Sequence, residues 1–255
     1  MRLKMESAQE HLEKALEINP NYADAHYELA LLLKDKKENE RSKKHFIKTL
    51  EISPEFTMAH FNFALLLKNM NDFENAQKHF LSAIDLNPNF AEANYYLGLL
   101  LSEKGDIENA KNYLEKSTKI DQNHTLSYYR LAKLLTDPED YEKAKKNYLI
   151  AIDIDEKMKE AHYYLGKLLA GGLKNDKDGT LVREPEHDKA IHHYQKVIEI
   201  DPKHSKAHYN LGILLKKQKQ YEKAKEHLKT AIRIKKDYSK AHFQMALILK
   251  YLEKS

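Results

Sequence analysis

The chain has 255 residues, of which 42% are hydrophobic and 32% charged, a composition typical of a folded protein rather than a disordered one. It contains no cysteine, which excludes disulfides, catalytic thiols and cysteine-based zinc sites and fits a reducing compartment. No apolar run is long enough to span a bilayer, and the charged N-terminal stretch does not resemble a signal peptide. We therefore expect a cytoplasmic (intracellular) protein that makes no membrane contact.

Charge is distributed unevenly along the chain. The net charge is +4, yet residues 1–124 carry 16 Lys+Arg against 20 Asp+Glu, whereas residues 203–255 carry 14 against 4. A basic C-terminal end favours an acidic partner surface. Arginines are scarce and no nucleic-acid motif is present, so a nucleic-acid partner is disfavoured and stays an alternative only.

The predicted helices repeat with a period of 34 residues, which is the spacing from His26 to His60 and from His208 to His242. Each period contains two amphipathic helices, because bulky and small residues recur at helical spacing in both halves. In chain order, we predict a half repeat at 1–22, then repeats at 23–56, 57–90, 91–124, 125–158, 159–204 and 205–238, and a half repeat at 239–255.

Places counted from the first residue of each repeat have a constant character. The eighth place is always Ala or Gly and the eleventh is always Leu, while the twentieth is small and the twenty-fourth is bulky. A small residue opposite a bulky one lets the two helices of a repeat pack closely. Proline at place 32 ends the second helix, as at Pro20, Pro54, Pro88 and Pro202.

The repeat at 159–204 is longer than the others and contains an insertion near residues 171–184. Its Gly, Asn and Asp residues are typical of turns, so we expect a surface loop that is either a tolerated excursion or a second contact site. The half repeats at both ends lack a partner helix. We therefore expect a fragment of a longer array, or ends that a partner covers, with self-association as one possibility.

This pattern resembles the tetratricopeptide repeat (TPR) family, and the resemblance covers essentially all of the chain. It implies an all-α fold, a right-handed α-solenoid of about seven stacked helix-turn-helix units with 14 helices. Two departures from the family pattern stand out. The common tryptophan of the fourth place is replaced by His, Asn94 or Tyr128, and place 32 is Gln122, Glu156 or Lys236 in three repeats.

The resemblance also implies a binding surface, because places 2, 5, 6, 9, 12 and 13 of the first helix face the concave side in this family. The fifth place is aromatic in every copy and the ninth is mostly apolar, so we expect an exposed aromatic and leucine stripe, interrupted by lysines. Alternatively, part of the stripe packs against the neighbouring repeat. The candidate partner-binding residues are Tyr27, Leu31, Phe61, Asn62, Leu65, Tyr95, Tyr96, Leu99, Tyr129, Arg130, Lys133, Tyr163, Lys167, Lys206, Tyr209, Asn210, Ile213, Lys240, Phe243 and Gln244.

Ten of the 14 histidines occupy the fourth or the twenty-third place of a repeat. Repetition spreads them along the chain, so they are interpreted as structural positions and not as metal ligands. No phosphate-binding loop or nucleophile elbow is present, and no carboxylate pair lies outside ordinary helix surface. We therefore predict no enzyme activity, no cofactor and no metal.

The predicted function is a protein–protein interaction scaffold that binds a partner segment along the concave groove, an amphipathic segment with acidic residues. The aromatic fifth place replaces the lysine with which some relatives grip a C-terminal carboxylate, so that mode is disfavoured. Two alternatives remain. The chain could be the substrate-targeting arm of a larger enzyme whose catalytic domain lies outside it, or it could bind nucleic acid through its basic C-terminal end.

Overall fold

The computed structural model describes residues 2–171 and 185–253. Apart from Gly171, the predicted insertion lies outside the described residues. Across these two ranges the chain forms fourteen α-helices, one short 3-10 helix and no β-strand, which confirms the all-α prediction. The chain divides into two compact units, unit 1 (Met1–Ser127) and unit 2 (Tyr128–Ser255).

Unit 1 is a stack of helical hairpins. In chain order its helices are α1 (Arg2–Ile18), α2 (Ala23–Asp35), α3 (Asn39–Ile52), α4 (Thr57–Asn69), α5 (Phe73–Leu86), α6 (Ala91–Glu103) and α7 (Ile107–Ile120). Hairpins form between α2 and α3, α4 and α5, and α6 and α7. Helix α3 also contacts α4, and α5 contacts α6, so the apolar faces of neighbouring hairpins cover each other.

Unit 2 follows the same plan. Helix α8 (Thr125–Leu134) contains the boundary between the units and is followed by the 3-10 helix (Pro138–Asp140). The remaining helices are α9 (Tyr141–Ile154), α10 (Lys159–Gly171), α11 (His187–Ile200), α12 (Ser205–Lys217), α13 (Tyr221–Ile234) and α14 (Ser239–Leu252). Helices α10 and α11 form one hairpin, and α12 and α13 form another.

The second helices end at the same place whether or not a proline follows. Where Gln122 and Glu156 replace proline, α7 and α9 still end at Ile120 and Ile154. An Asx turn at the preceding residue accompanies both ends: Asp121 Oδ1 accepts the Asn123 backbone N–H at 2.9 Å, and the Asp155 carboxylate closes the same turn at 3.0 Å. The turn is not required, because α13 ends at Ile234 where Lys235 and Lys236 occupy places 31 and 32.

The close approach of the two helices in a hairpin depends on the small eighth place. A methyl group added at Gly98 would lie 2.8 Å from Leu114 Cγ and 3.2 Å from the Ala110 carbonyl oxygen. At the same place in the first two hairpins, Ala30 and Ala64 are completely buried. The prediction that this place permits tight helix contact is confirmed.

Candidate partner-binding surface

In each unit, the first helices of successive hairpins lie side by side. Helix α2 contacts α4 in unit 1, and α12 contacts α14 in unit 2. These helices carry the sequence-predicted binding residues, and the surface that they share is called here the first-helix face.

The aromatic rings of the fifth place are largely buried, which corrects the expectation of an exposed stripe. Tyr27, Phe61, Tyr95 and Tyr129 are at most 9% exposed. In three of these repeats the ring packs on the residue just before the next first helix, as in the pairs Tyr27–Phe56 and Phe61–Phe90, each at 4.8 Å between centroids, and Tyr95–His124 at 5.0 Å. These rings therefore stabilise the stacking of hairpins.

Sequence reasoning missed the partners of these rings. Place 34 holds Phe56, Phe90, His124, His204 and Tyr238, and the last two pack on Tyr163 and Tyr209 at 5.0 Å. The recurrence of an aromatic residue at place 34 was visible in the sequence and could have identified the contact.

Asn62 is also buried and serves the packing of unit 1. Its side-chain amide donates to Tyr27 Oη at 2.9 Å and accepts from Lys34 Nζ at 3.2 Å. Burial lowers the pKa of Lys34. Asn62 is therefore a hydrogen-bonding bridge between adjacent first helices and is not a freely exposed groove residue.

The predicted residues that remain partly or fully exposed lie mainly at the sixth and ninth places. In unit 1 they form an apolar strip with one phenol, consisting of Leu31, Leu65, Tyr96 and Leu99, all half-buried. In unit 2 the half-buried members are Arg130, Tyr163, Tyr209, Asn210, Ile213 and Gln244, and the exposed ones are Lys133, Lys167, Lys206, Lys240 and Phe243. The basic members of the predicted set therefore all lie in unit 2, where apolar members accompany them.

Unit 2 contains a cleft of about 440 Å³, called here the α8–α10 cleft, with walls from α8, α9 and α10. Its lining includes Tyr141, Tyr148, Tyr164, Leu135 and Leu168 together with Lys133 and Lys167. The ammonium group of Lys133 lies 5.1 Å from the centre of the Tyr164 ring, a cation–π distance. The cleft combines an aromatic floor with two cationic side chains at its edge.

A second cleft of about 290 Å³, the α10–α12 cleft, adjoins the first and shares Lys167 and Gly171 with it. Tyr163, Tyr194 and Ile213 contribute apolar surface, and Lys217 adds another cation. Asn210 Nδ2 donates to Tyr194 Oη at 3.3 Å and to Tyr163 Oη at 3.4 Å, which fixes the floor.

Two phenols that line these clefts, Tyr148 and Tyr194, stay neutral at physiological pH. Burial raises the pKa of both Tyr148 and Tyr194 well above the usual range, because an ionised phenol would lose its hydration there. Among the described residues, no carboxylate forms an ion pair with Lys133 or Lys167. Asp137 also lines the α8–α10 cleft, so one carboxylate there accompanies two ammonium groups. The clefts therefore present excess positive charge over an aromatic surface.

At the basic end, Lys206 and Lys240 project into solvent, whereas Lys216 donates to Gln244 Oε1 at 2.6 Å. Phe243 is the fifth-place ring that matches the expectation of exposure, since 61% of it is accessible. Over residues 2–171 and 185–253, no three side chains of His, Asp or Glu come together as a metal site. No helix in those ranges has the length and hydrophobicity needed to cross a bilayer.

Sequence models described as "Tetratricopeptide repeat" match residues 23–56, 59–90, 91–124, 126–158 and 193–226, and one described as "TPR repeat" matches residues 4–37. No curated protein matches the chain by sequence.

Solved structures of TPR proteins are also similar to this chain. The chain is 29% identical to YrrB, described as a TPR protein with an unusual peptide-binding site, with a TM-score of 0.64 over 78% of this chain and 96% of that one. It is 14% identical to the C-terminal part of a TPR repeat-containing protein from Cytophaga hutchinsonii, with a TM-score of 0.74 over 93% of each chain. The protein MamA is 23% identical, with a TM-score of 0.61 over 73% of this chain and 96% of that one. The last two similarities concern the fold alone.

Proposed function

Because this chain belongs to the tetratricopeptide repeat family, we propose that it is a non-catalytic interaction scaffold whose first-helix face binds an extended or helical segment of a partner protein. The similarity to YrrB, a TPR protein with a peptide-binding site, supports this class of ligand. The family itself supports scaffolding in general, and the features of the segment are inferred from the surface.

The observation that carries the proposal is the pair of adjoining clefts in unit 2. Together they offer aromatic and aliphatic surface deep enough to enclose a bulky apolar side chain of the partner. Three lysines surround this surface, at Lys133, Lys167 and Lys217, and none of them has an ion-pair partner among the described residues. A segment with an apolar side chain flanked by Asp or Glu would satisfy both features.

The lysines contribute to binding through charge-assisted contacts with these carboxylates. Lys133 and Lys167 are exposed, so each ion pair with the partner contributes only about 0.2–1 kcal/mol to binding while it remains solvent-exposed, and more where the bound segment excludes water. The cleft floor supplies most of the binding free energy through apolar burial. Selectivity for acidic segments comes from the lysines, because a basic segment would meet like charges at the same places.

Selection from a random peptide library displayed on phage, with the whole chain as bait, tests this proposal. The selected peptides should be enriched in Asp and Glu near an aromatic or leucine side chain. Charge reversal of both cleft lysines, K133E/K167E, should weaken binding of the selected peptides at least about tenfold. The matched control is K146E, a reversal of an exposed lysine on the second helix α9, which should leave binding unchanged. Selected peptides without acidic residues, or equal weakening in the control, would contradict the proposal.

A further inference from the structure

Four repeats contain a pair of histidines that face each other across the hairpin. In each case the histidine of the fourth place and the histidine of the twenty-third place bring their Nδ1 atoms within hydrogen-bond distance. The pairs are His26–His45 at 2.9 Å, His60–His79 at 2.9 Å, His162–His193 at 3.0 Å and His208–His227 at 3.1 Å. The recurrence in four hairpins makes these contacts a feature of the repeat.

The other ring nitrogen of the first histidine determines where the protons lie. Nε2 of His26 is 3.0 Å from the Pro20 carbonyl oxygen, and Nε2 of His60 is 2.9 Å from that of Pro54. His162 and His208 make the same contact with the carbonyls of place 32 at 3.1 Å. A carbonyl oxygen only accepts, so Nε2 must carry the proton, and the neutral ring then has a lone pair on Nδ1.

The second histidine must therefore donate its Nδ1–H to that lone pair. Both rings are neutral in this arrangement, and each holds one defined tautomer. Nε2 of the second histidine then remains unprotonated, and among the described residues no hydrogen bond engages it at His45, His79, His193 or His227. A first added proton goes to this Nε2 and leaves the Nδ1–Nδ1 bond in place.

A second added proton has only Nδ1 of the first histidine to bind. Two N–H groups would then point at each other about 3 Å apart, and two imidazolium charges would face each other inside the hairpin. The hydrogen bond would be lost, and the rings would be forced apart. Because each pair joins the first helix to the second, this step would loosen the hairpin itself.

We propose that these four pairs are proton-binding latches, which close their hairpins at neutral pH and open them in mild acid. The hairpins at 91–124 and 125–158 have no such pair, since Asn94 with Tyr113 and Tyr128 with Asn147 occupy the two places. Acid therefore weakens the hairpins that contain a histidine pair, which precede and follow these two repeats in the chain. The two repeats themselves have no pair to protonate.

Charged groups around the pairs have mixed signs, so none of them fixes the protonation state by itself. Glu13 and Arg41 face His45, while Asp72 and Lys78 face His79. In unit 2, the neighbours are Glu199, His192 and Lys196 for the pair His162–His193, and Glu226 and Arg233 for the pair His208–His227. Burial is the largest influence and, with the partner ring, lowers the pKa of His79 and of His193 to about 4.

The sign of the pH effect follows from this direction. The folded pKa lies below the unfolded value of about 6.5, so the unfolded chain binds more protons as the pH falls. For the first proton, which the second histidine takes up, this contribution to stability is fully present above about pH 6.5 and is lost progressively down to about pH 4. The second proton adds to the loss, because the closed pair has no place for it whereas the open pair does. For His79 alone, moving from about pH 7 to about pH 5 should raise the unfolding equilibrium constant up to about 20-fold.

The first experiment observes the wild-type chain by two-bond ¹H–¹⁵N NMR of the imidazoles. At neutral pH the fourth-place histidines should be the Nε2–H tautomer and the twenty-third-place histidines the Nδ1–H tautomer. Nδ1–H tautomers at the fourth place, or titration of the twenty-third-place rings at an ordinary pKa near 6.5, would overturn the proposal. This measurement requires no variant to fold.

The second experiment compares urea unfolding midpoints at about pH 7 and about pH 5. In the variant H45N/H79N/H193N/H227N, the asparagine amide can still donate to Nδ1 of the first histidine but cannot titrate. This variant should have a smaller pH dependence than the wild type, because only the fourth-place histidines of the pairs can still titrate, whereas H11N, at an exposed register position that lies outside the four pairs, should keep it in full. An unchanged pH dependence in the quadruple variant would overturn the proposal. If added Zn²⁺ raises the wild-type urea midpoint and removes the Nδ1–H signals, the histidine pairs bind a metal ion and the proton-latch proposal is wrong.

Discussion

The eighth place of each repeat allows a prediction that tests how closely the helices approach. Replacing Gly98 with alanine adds a methyl group 2.8 Å from Leu114 Cγ and 3.2 Å from the Ala110 carbonyl oxygen. The side chain of Leu114 can shift slightly, but the carbonyl belongs to the α7 backbone. Overpacking of a buried site costs about 1–3 kcal/mol, while glycine-to-alanine substitution within a helix gains about 1 kcal/mol. G98A should therefore lower the free energy of unfolding by about 1 kcal/mol.

A neighbouring repeat supplies the compensating change. Ala64 and Phe80 occupy the eighth and twenty-fourth places there, and both are completely buried. L114F alone should be tolerated, because Gly166 already faces the ring of Tyr194. The double variant G98A/L114F reproduces the Ala64–Phe80 pair, and its stability should exceed the sum of the single effects by about 1 kcal/mol.

Urea denaturation of the wild type, G98A, L114F and G98A/L114F, monitored by far-UV circular dichroism, measures these differences in stability and the coupling between the two substitutions. Additive effects in the double variant would refute the reasoning that the two places form one packing unit. A stabilising G98A would show that helix propensity outweighs the close contact at this place.

Three further predictions concern single groups. Asn62→Ala removes the buried bridge to Tyr27 and should lower the free energy of unfolding by about 1–3 kcal/mol in urea denaturation, whereas no loss would mean that the bridge is not formed. Lys219 has a φ of 62°, a strained left-handed conformation for a residue with a side chain. Lys219→Gly should therefore increase the free energy of unfolding by about 1 kcal/mol and raise the thermal midpoint, and a lower midpoint would exclude this source of strain. The phenols of Tyr148 and Tyr194 should ionise only above the range of exposed tyrosines, as followed by absorbance near about 295 nm, and titration near a pKa of about 10 would contradict their burial.

Much of the fold could be predicted from the sequence, because each helix pair carries its own pattern. First helices begin at Ala23, Thr57, Ala91 and Ser205, at the start of the predicted repeats. Helical spacing specifies which face of a helix meets its partner within the hairpin, and that information is local. The small residue of the eighth place and the leucine of the eleventh place also indicate which face of the first helix packs inside its own hairpin.

The exposure of the binding surface was harder to predict, because it depends on contacts between successive repeats. The family resemblance placed Tyr27 and Phe61 on the concave side of the first helix, but did not reveal that Phe56 and Phe90 cover them. The same limit applies to His26 and His45. Each was assigned to a repeat position, whereas their contact with each other needs the angle between the two helices.

Site-specific photocrosslinking with a selected acidic peptide tests the central claim most directly. A photoreactive phenylalanine analogue placed at Tyr164, on the first-helix face of unit 2, should form a crosslink to the peptide. The same analogue at Gln195, an exposed position on the second helix α11, should not. Crosslinking at 164 alone, abolished by K133E/K167E, is the result that the account predicts. Crosslinking at 195, or equally at both positions, would contradict binding at the first-helix face.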